Sequence, residues 1–254
     1  MNEILVVNKP RGLSPLQMIQ FLKKQFPQYQ NEKISYAGRL DPMASGLLIL
    51  LVGDKNKNRN EFESLEKTYE FELLLGISTD TYDVLGLITA ISPLQPNTLK
   101  QCAQLLPSFI GSHEQAYPPF SSMHVSGKPL YYWAREGKLN DIKIPTKTVK
   151  IKSLEIISTS LIDSPDLMAN VVNAIKQVNG DFRQDEIVKR WETLVKKDQS
   201  FPLITCRTTV SSGTYIRSLA HEIGQKLNCG AIALSITRTH VGKWCLNDTI
   251  KLID

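Results

Sequence analysis

Leu47-Leu48-Ile49-Leu50-Leu51-Val52 is the most apolar run of the chain, and it constrains the fold more than any other segment. Apolar residues in unbroken succession, rather than in alternation, suit a strand buried on both faces. Directly before the run stands Gly38-Arg39-Leu40-Asp41-Pro42-Met43-Ala44-Ser45-Gly46, a glycine-bounded turn carrying a single carboxylate. A doubly buried strand would hold such a turn rigidly against the core, so Asp41 is the first candidate for chemistry. Standing alone, an aspartate here simply caps a turn. Its company elsewhere in the chain decides between the two readings.

With 254 residues and 42% hydrophobic content, the chain can bury a substantial core. Its formal charge of +5 points toward a polyanionic partner without establishing one, so local basic patches must decide. The first ten residues hold only Ile4 to Val7 as an apolar stretch, which predicts neither a signal peptide nor a membrane span and makes the cytoplasm the expected location. Cys102, Cys206, Cys229 and Cys245 are scattered, and His113, His124, His221 and His240 show no ligand-like spacing with them. No glycine-rich phosphate loop is present either. The expectation is an enzyme with no metal and no cofactor.

Along the chain, Ile4 to Val7 reads as a strand, and Ser14-Pro15 as an N-cap with proline opening a helix to about Phe26. Thr68 to Leu75 and Leu85 to Ile91 read as strands flanking a polar loop, Gly76 to Asp83, and Asn97 to Leu106 as a short helix. Leu130 to Arg135 is a short aromatic helix, and Thr146 to Ile157 a long strand. Residues 162–200 then carry two apolar stripes at helical spacing, Leu167, Met168, Val171, Val172, Ile175 and Ile187, Val188, Trp191, Leu194, Val195, with Asn179-Gly180 as the turn. This predicts a helical hairpin inserted between strands. Leu203 to Val210 resumes β character, a helix follows from Thr214 to about Leu227, and a strand near Ala231 to Thr237 closes the pattern.

Three segments in order, Lys9-Pro10-Arg11-Gly12, the Asp41 turn and Ser212-Gly213-Thr214-Tyr215-Ile216-Arg217-Ser218-Leu219, resemble the pseudouridine synthases, and within them the bacterial TruB type. Lys67-Thr68-Tyr69, Tyr117-Pro118-Pro119-Phe120-Ser121-Ser122, Gly127-Lys128-Pro129-Leu130 and Cys229-Gly230-Ala231 extend the match across nearly the whole chain. The resemblance implies an α+β fold with a mixed, mostly antiparallel central sheet flanked by helices and loops. It implies isomerisation of uridine to pseudouridine at position 55 in the T-loop of tRNA, the T-arm being the partner of a monomeric enzyme. One catalytic domain over 1–254, interrupted by the 162–200 hairpin and lacking the C-terminal PUA domain, is the expected organisation.

Breaking the N1–C1′ bond, turning the base and joining C5 to C1′ requires one carboxylate in a dry pocket, where hydrolysis would use two and a water. By resemblance Asp41 is that carboxylate, acting at C1′, at the base C6 or by assisting elimination at the sugar. Arg217 would pair with it, since a cation within about 4–6 Å favours a charged carboxylate. Tyr69 would stack on the flipped-out uracil, and Tyr215 and Ile236 would line the base pocket. RNA contacts are expected from Lys9, Arg11, the Lys55–Arg59 run, Lys128, Arg238 and Lys243, and also from the basic second half of the hairpin.

Three positions depart from the TruB pattern. Tyr36 stands where the family usually has a histidine that helps unstack the T-loop; Arg39 beside Asp41 is more typical of the RluA and RsuA branches; and Thr237 replaces a common arginine. Another RNA such as rRNA is therefore an alternative substrate, and a non-catalytic tRNA-folding chaperone is the rival from another class. A carboxylate hydrolase is disfavoured because no second acid is evident.

Overall fold

The structure, a computed structural model, describes residues 1–250. In chain order it runs β1 (Ile4–Lys9), α1 (Pro15–Gln25), β2 (Ile34–Ala37), β3 (Ser45–Val52), α2 (Arg59–Ser64), β4 (Lys67–Leu75), β5 (Ile77–Thr79) and β6 (Ile88–Ile91). It continues through α3 (Thr98–Leu105), β7 (Gly111–Ala116), β8 (His124–Val125), β9 (Lys128–Pro129), α4 (Leu130–Arg135), β10 (Thr146–Asp163), α5 (Ser164–Gln177) and α6 (Gln184–Leu194). The last elements are β11 (Ser200–Val210), α7 (Ile216–Lys226), β12 (Ala231–Val241) and β13 (Trp244–Cys245).

One sheet of nine strands organises the molecule, in the order β1-β3-β12-β4-β11-β10-β7, with β2 also on β3 and β13 on β12. Its pairings are antiparallel except for β3 with β12, which run parallel through Thr237–Ser45 and Arg238–Gly46. The sheet is thus mixed and mostly antiparallel, as the resemblance implied. Strand β3 is buried along its length apart from Ser45. Leu48 and Leu50 pack on Met18, Ile19 and Leu22 of α1, while Leu47, Ile49 and Leu51 meet Val6 and Val241 on the other face. Each such side chain contributes about 1.5–3 kcal/mol when buried. The unbroken apolar run is explained by the two covered faces.

Helix α1 starts where its sequence signals it: Ser14 Oγ accepts from Gln17 N–H, Gln17 Oε1 accepts from Ser14 N–H, and Pro15 opens the helix. The larger core gathers Phe71 and Leu73 of β4 with Leu219 and Ile223 of α7, and also Leu167, Val171, Ile175, Ile187 and Trp191 from α5 and α6. The apolar stripes of 162–200 therefore face the sheet, and Trp191 Nε1 donates to Gly86 O at 3.0 Å. These two helices follow the far end of the β10–β11 ribbon, whose pairing extends to Asp163–Ser200. At Gly12 (φ +97°) a Cβ would lie 2.1 Å from Gln177 O at the end of α5, so only glycine fits this approach.

Strands β10 and β12 run past their sequence reading, to Asp163 and Val241, β11 starts earlier, at Ser200, and two elements begin two or more residues later than theirs. The strand expected from Leu85 begins at Ile88, because Asp80 and Asp83 draw the preceding residues into a turn: Leu85 N–H donates to Asp83 Oδ1 and Leu87 N–H to Asp80 Oδ1, both at 2.9 Å. Helix α7 begins at Ile216 rather than Thr214, because Tyr215 is extended and held by Gln115 through both backbone groups, N–H to Oε1 at 2.8 Å and O from Nε2 at 3.2 Å.

Candidate active site

Asp41 lies in the turn leading into β3, closed by Ala44 N–H donating to Asp41 O at 3.0 Å. Three cations fasten this turn through its backbone carbonyls. Arg238 of β12, 1% exposed, donates to Leu47 O at 2.7 Å, Gly38 O at 3.2 Å and Arg39 O at 3.3 Å. Lys9, wholly buried, donates to Ala44 O at 2.5 Å, Leu13 O at 2.7 Å and Pro10 O at 2.9 Å. Arg11 donates to Met43 O at 3.1 Å and Leu234 O at 3.2 Å. Parallel pairing brings β12 so close that a Cβ on Gly46 (φ +106°) would lie 2.3 Å from Arg238 O.

Burial corrects the reading of Lys9 and Arg238 as RNA contacts, while Arg11 stays partly exposed. Backbone carbonyls left without partners in the core would each cost about 1–3 kcal/mol, and the cations turn inward to meet them. For Lys9, burial pushes the ammonium down to about 7 while Asp41 pulls the other way. Its three carbonyl acceptors match the three donors of the charged form.

Arg217, second residue of α7, reaches Asp41 Oδ2 with Nε at 2.7 Å. The guanidinium is 3% exposed, and it also donates to Thr81 O at 2.8 Å and Phe120 O at 3.5 Å. A second carboxylate shares it: Asp83 Oδ2 stands 3.4 Å from Nε. The expectation that no second acid accompanies Asp41 is thereby corrected. Burial pushes Asp83 up to about 6, against the pull of Arg217 and of the hydrogen bond from Thr81 Oγ1 at 2.6 Å. Burial also works against the Arg217 charge, but Asp41 and Asp83 outweigh it and raise its pKa further above the ordinary arginine value. The two carboxylates differ in access: the Asp41 side chain is 29% exposed and that of Asp83 only 5%. Asp41 is the carboxylate open to a substrate; Asp83 is engaged by Arg217, Thr81 and the Leu85 amide.

Asp41 faces two cavities. One, of about 230 Å³, is lined by Tyr69 of β4, Ile236 and Arg238 of β12, Tyr215, and Lys67, which burial pushes down to about 8. The predicted base-pocket residues Tyr69, Tyr215 and Ile236 thus converge on Asp41. Burial and then Asp41 push the Tyr215 phenol up to about 12, so it stays a neutral donor. The other cavity, of about 420 Å³, has Arg217 and Asp83 among its lining, with Tyr36, Phe120, and Phe182 and Arg183 from the α5–α6 turn. Tyr36 receives a hydrogen bond from Arg39 Nη2 at 3.3 Å, and the Arg59 guanidinium lies 5.4 Å from its ring centre. Lys128 is exposed at the start of β9, its ammonium 3.9 Å from the Tyr132 ring centre. Lys57 pairs with Asp54 and Arg59 with Glu63, and the exposed Lys243 lies 5.2 Å from the Trp244 ring centre.

Sequence reasoning missed Asp83, Gln115 and the turn residue Phe182, and read Arg183 only as part of the hairpin's basic second half. For Asp83 a signal existed: an aspartate directly before the apolar pair Val84-Leu85 at the end of a polar loop is placed for burial.

The family model described as TruB family pseudouridylate synthase (N terminal domain) matches residues 24–172. The chain belongs to the TruB family. The tRNA pseudouridine synthase B of Blochmanniella pennsylvanica (strain BPEN) is 34% identical over 251 residues, covering 98% of this chain and 78% of that protein. That of Nitratidesulfovibrio vulgaris (strain DSM 19637 / Miyazaki F) is 34% identical over 238 residues, 93% of this chain and 62% of the relative. The chain therefore spans less than two thirds of the Nitratidesulfovibrio protein. Among solved structures, a Cbf5-Nop10-Gar1 complex matches with a TM-score of 0.58 at 18% identity, over 95% of this chain and 49% of the other. A structure titled as an H/ACA RNP bound to a substrate RNA containing 2'-deoxyuridine matches at 0.55 and 17%, over 95% and 48%. These likenesses show the fold, and the TruB membership agrees with it. No helix among the described residues is long and apolar enough to cross a membrane.

Proposed function

We propose that this TruB-family chain isomerises uridine to pseudouridine in the T-loop of tRNA, at position 55, with Asp41 as the catalytic carboxylate. The observation that carries the reading is the Asp41 environment. One oxygen is held by Arg217 at 2.7 Å, while the residue opens onto a cavity walled by Tyr69, Tyr215 and Ile236. A uracil turned out of its loop loses stacking, and an aromatic and apolar pocket recovers it. Tyr69 is the stacking partner, Ile236 and Tyr215 bound the base, and Arg217 orients the carboxylate.

The reaction breaks N1–C1′, rotates the base and forms C5–C1′; the C5 proton leaves and N1 takes up a proton, so reactant and product have the same composition. A single accessible carboxylate at a buried arginine suits this better than hydrolysis, since Asp83 is too enclosed to direct a water. Family membership and the names of the relatives favour tRNA over rRNA, and the open, arginine-held Asp41 favours catalysis over a chaperone role. The tRNA T-arm would be the partner and the cytoplasm the compartment, with residues 1–254 acting as one catalytic domain.

The test is tritium release from an unmodified tRNA transcript made with [5-³H]uridine. Stoichiometric release of one tritium per tRNA is expected with the wild-type chain and none with Asp41→Asn. No release from tRNA, with release from rRNA, would replace the substrate; no release from either would overturn the isomerase reading.

A further inference from the structure

We propose that the α5–α6 hairpin serves catalysis by bracing the 80–88 segment against Arg217, and that Arg183, at its turn, is the positioning residue. This rests on the reading above, in which Arg217 orients Asp41.

Arg183 grips two segments, and each of them supplies a partner to Arg217. Its terminal nitrogens hold Asp80 at 2.7 and 3.2 Å, and its guanidinium covers Phe120, 4.5 Å from the ring centre. Thr81, next to Asp80, accepts from Arg217 through its backbone O at 2.8 Å, and Phe120 O accepts at 3.5 Å. Asp83, on the same loop, is the second carboxylate at Arg217. The Arg183–Asp80 pair is bidentate and its side chains are only 21% and 24% exposed, which sets it apart from a solvated surface pair. Arg183 also takes the left-handed backbone, φ +62°, seldom adopted by a residue with a side chain.

The hairpin meets the same segment twice more. Trp191 Nε1 donates to Gly86 O at 3.0 Å, and Arg190 Nε to Ile88 O at 3.2 Å. Asp80 carries the grip across the loop: its N–H donates to Leu87 O at 3.1 Å, and its Oδ1, besides receiving Arg183, accepts from Leu87 N–H at 2.9 Å. On the α7 side Tyr82 stacks on His221, the ring centres 3.7 Å apart. Thr81 and Asp83 stand in a connection and not on a paired strand, so their aim at Arg217 depends on such outside contacts. Arg183 and Arg190, expected from their charge to meet RNA, donate to this segment instead.

Single-turnover tritium release and equilibrium binding on one unmodified tRNA transcript separate a brace from an RNA contact. Arg183→Met keeps the aliphatic stem and removes the guanidinium. It should slow the single-turnover rate about tenfold while the Kd for tRNA stays within about twofold, and Arg183→Lys should recover about threefold of that loss. Asp80→Asn should slow the rate similarly, and the double variant should lose no more than either single one. Lys189→Met, on the exposed side of α6, should change neither quantity. In Arg183→Met, amide exchange over residues 80–88 should quicken about tenfold with β3 unchanged, a readout that needs no turnover. A weakened Kd at an unchanged rate would make Arg183 an RNA contact and overturn the proposal, as would multiplying losses in the double variant or unchanged exchange. Absence of tritium release from the wild-type chain, with the exchange effect intact, would instead remove the isomerase reading and leave the brace standing.

Discussion

Asp41 separates two cavities built by different means. The smaller takes one wall from the central sheet, Lys67 and Tyr69 of β4 with Ile236 and Arg238 of β12, and the rest from the Asp41 turn and the 211–215 connection. The larger is walled by connections, namely the Phe120 segment, the start of α1 and the α5–α6 turn. Paired strands place side chains more exactly than loops do, and loops change more readily without disturbing a core. Under the proposed function, the strand-borne wall would fix the base pocket, and the cavity built from connections is where recognition of a particular RNA could be adjusted.

The cations divide along the same line. Lys9, Arg11 and Arg238 hold the turn's own carbonyls, whereas Arg39 and Arg59 flank Tyr36 at the surface. A basic residue near a nucleic-acid site can build the site or bind the ligand, and burial distinguishes the two.

On the sheet side, Asp41→Asn should have the largest effect, lowering turnover at least about 10³-fold while RNA affinity stays within about threefold. A parallel collapse of affinity would make Asp41 a structural residue. Arg217→Lys should follow, with a loss of about 10²-fold, because an ammonium cannot span Asp41, Asp83 and Thr81 O together.

The division of cations predicts opposite signatures. Arg238→Met should cost about 3 kcal/mol in urea unfolding, since three backbone carbonyls lose their donor. The salt dependence of RNA binding should be unchanged in that variant. Arg39→Ala should leave unfolding within about 0.5 kcal/mol but lower the slope of log K against log salt by about one. Exchange of these two outcomes would reverse the assignment of inner and outer cations.

Asp83 yields a pH prediction. Its native value, near 6, lies above the ordinary 3.8, so between those values the native state holds more protons than the unfolded chain. Stability contributed at this site must therefore fall as pH rises through about 4 to 6. Relative to Asp83→Asn, the wild-type chain should lose of order 1–3 kcal/mol across that window, read as urea midpoints at each pH. A constant difference would place the proton elsewhere.

Much of this fold was legible locally. The Leu47–Val52 run announced a doubly buried strand, Ser14-Pro15 a capped helix, and the stripes of 162–200 two core-facing helices, because each depends on periodicity or capping within a few residues. The convergence of Asp41, Tyr69, Tyr215, Arg217 and Ile236 was anticipated from ordered motifs; no local pattern joins residues so far apart in sequence. Lys9 and Arg238 were misread because charge in a sequence does not reveal whether buried carbonyls await it. Phe182 became visible only once the turn at 178–184 lay on the cleft beside Asp41, whereas Asp83 was marked in the sequence by its place before Val84-Leu85 and was overlooked.

The most direct test of Asp41 as the catalytic centre maps pseudouridine by carbodiimide-dependent primer-extension stops on an unmodified tRNA transcript, with wild-type and Asp41→Asn protein side by side. The predicted result is a single stop in the T-loop at position 55 with the wild-type chain, and none with a variant that still binds the tRNA. A T-loop stop of equal intensity from Asp41→Asn would contradict it.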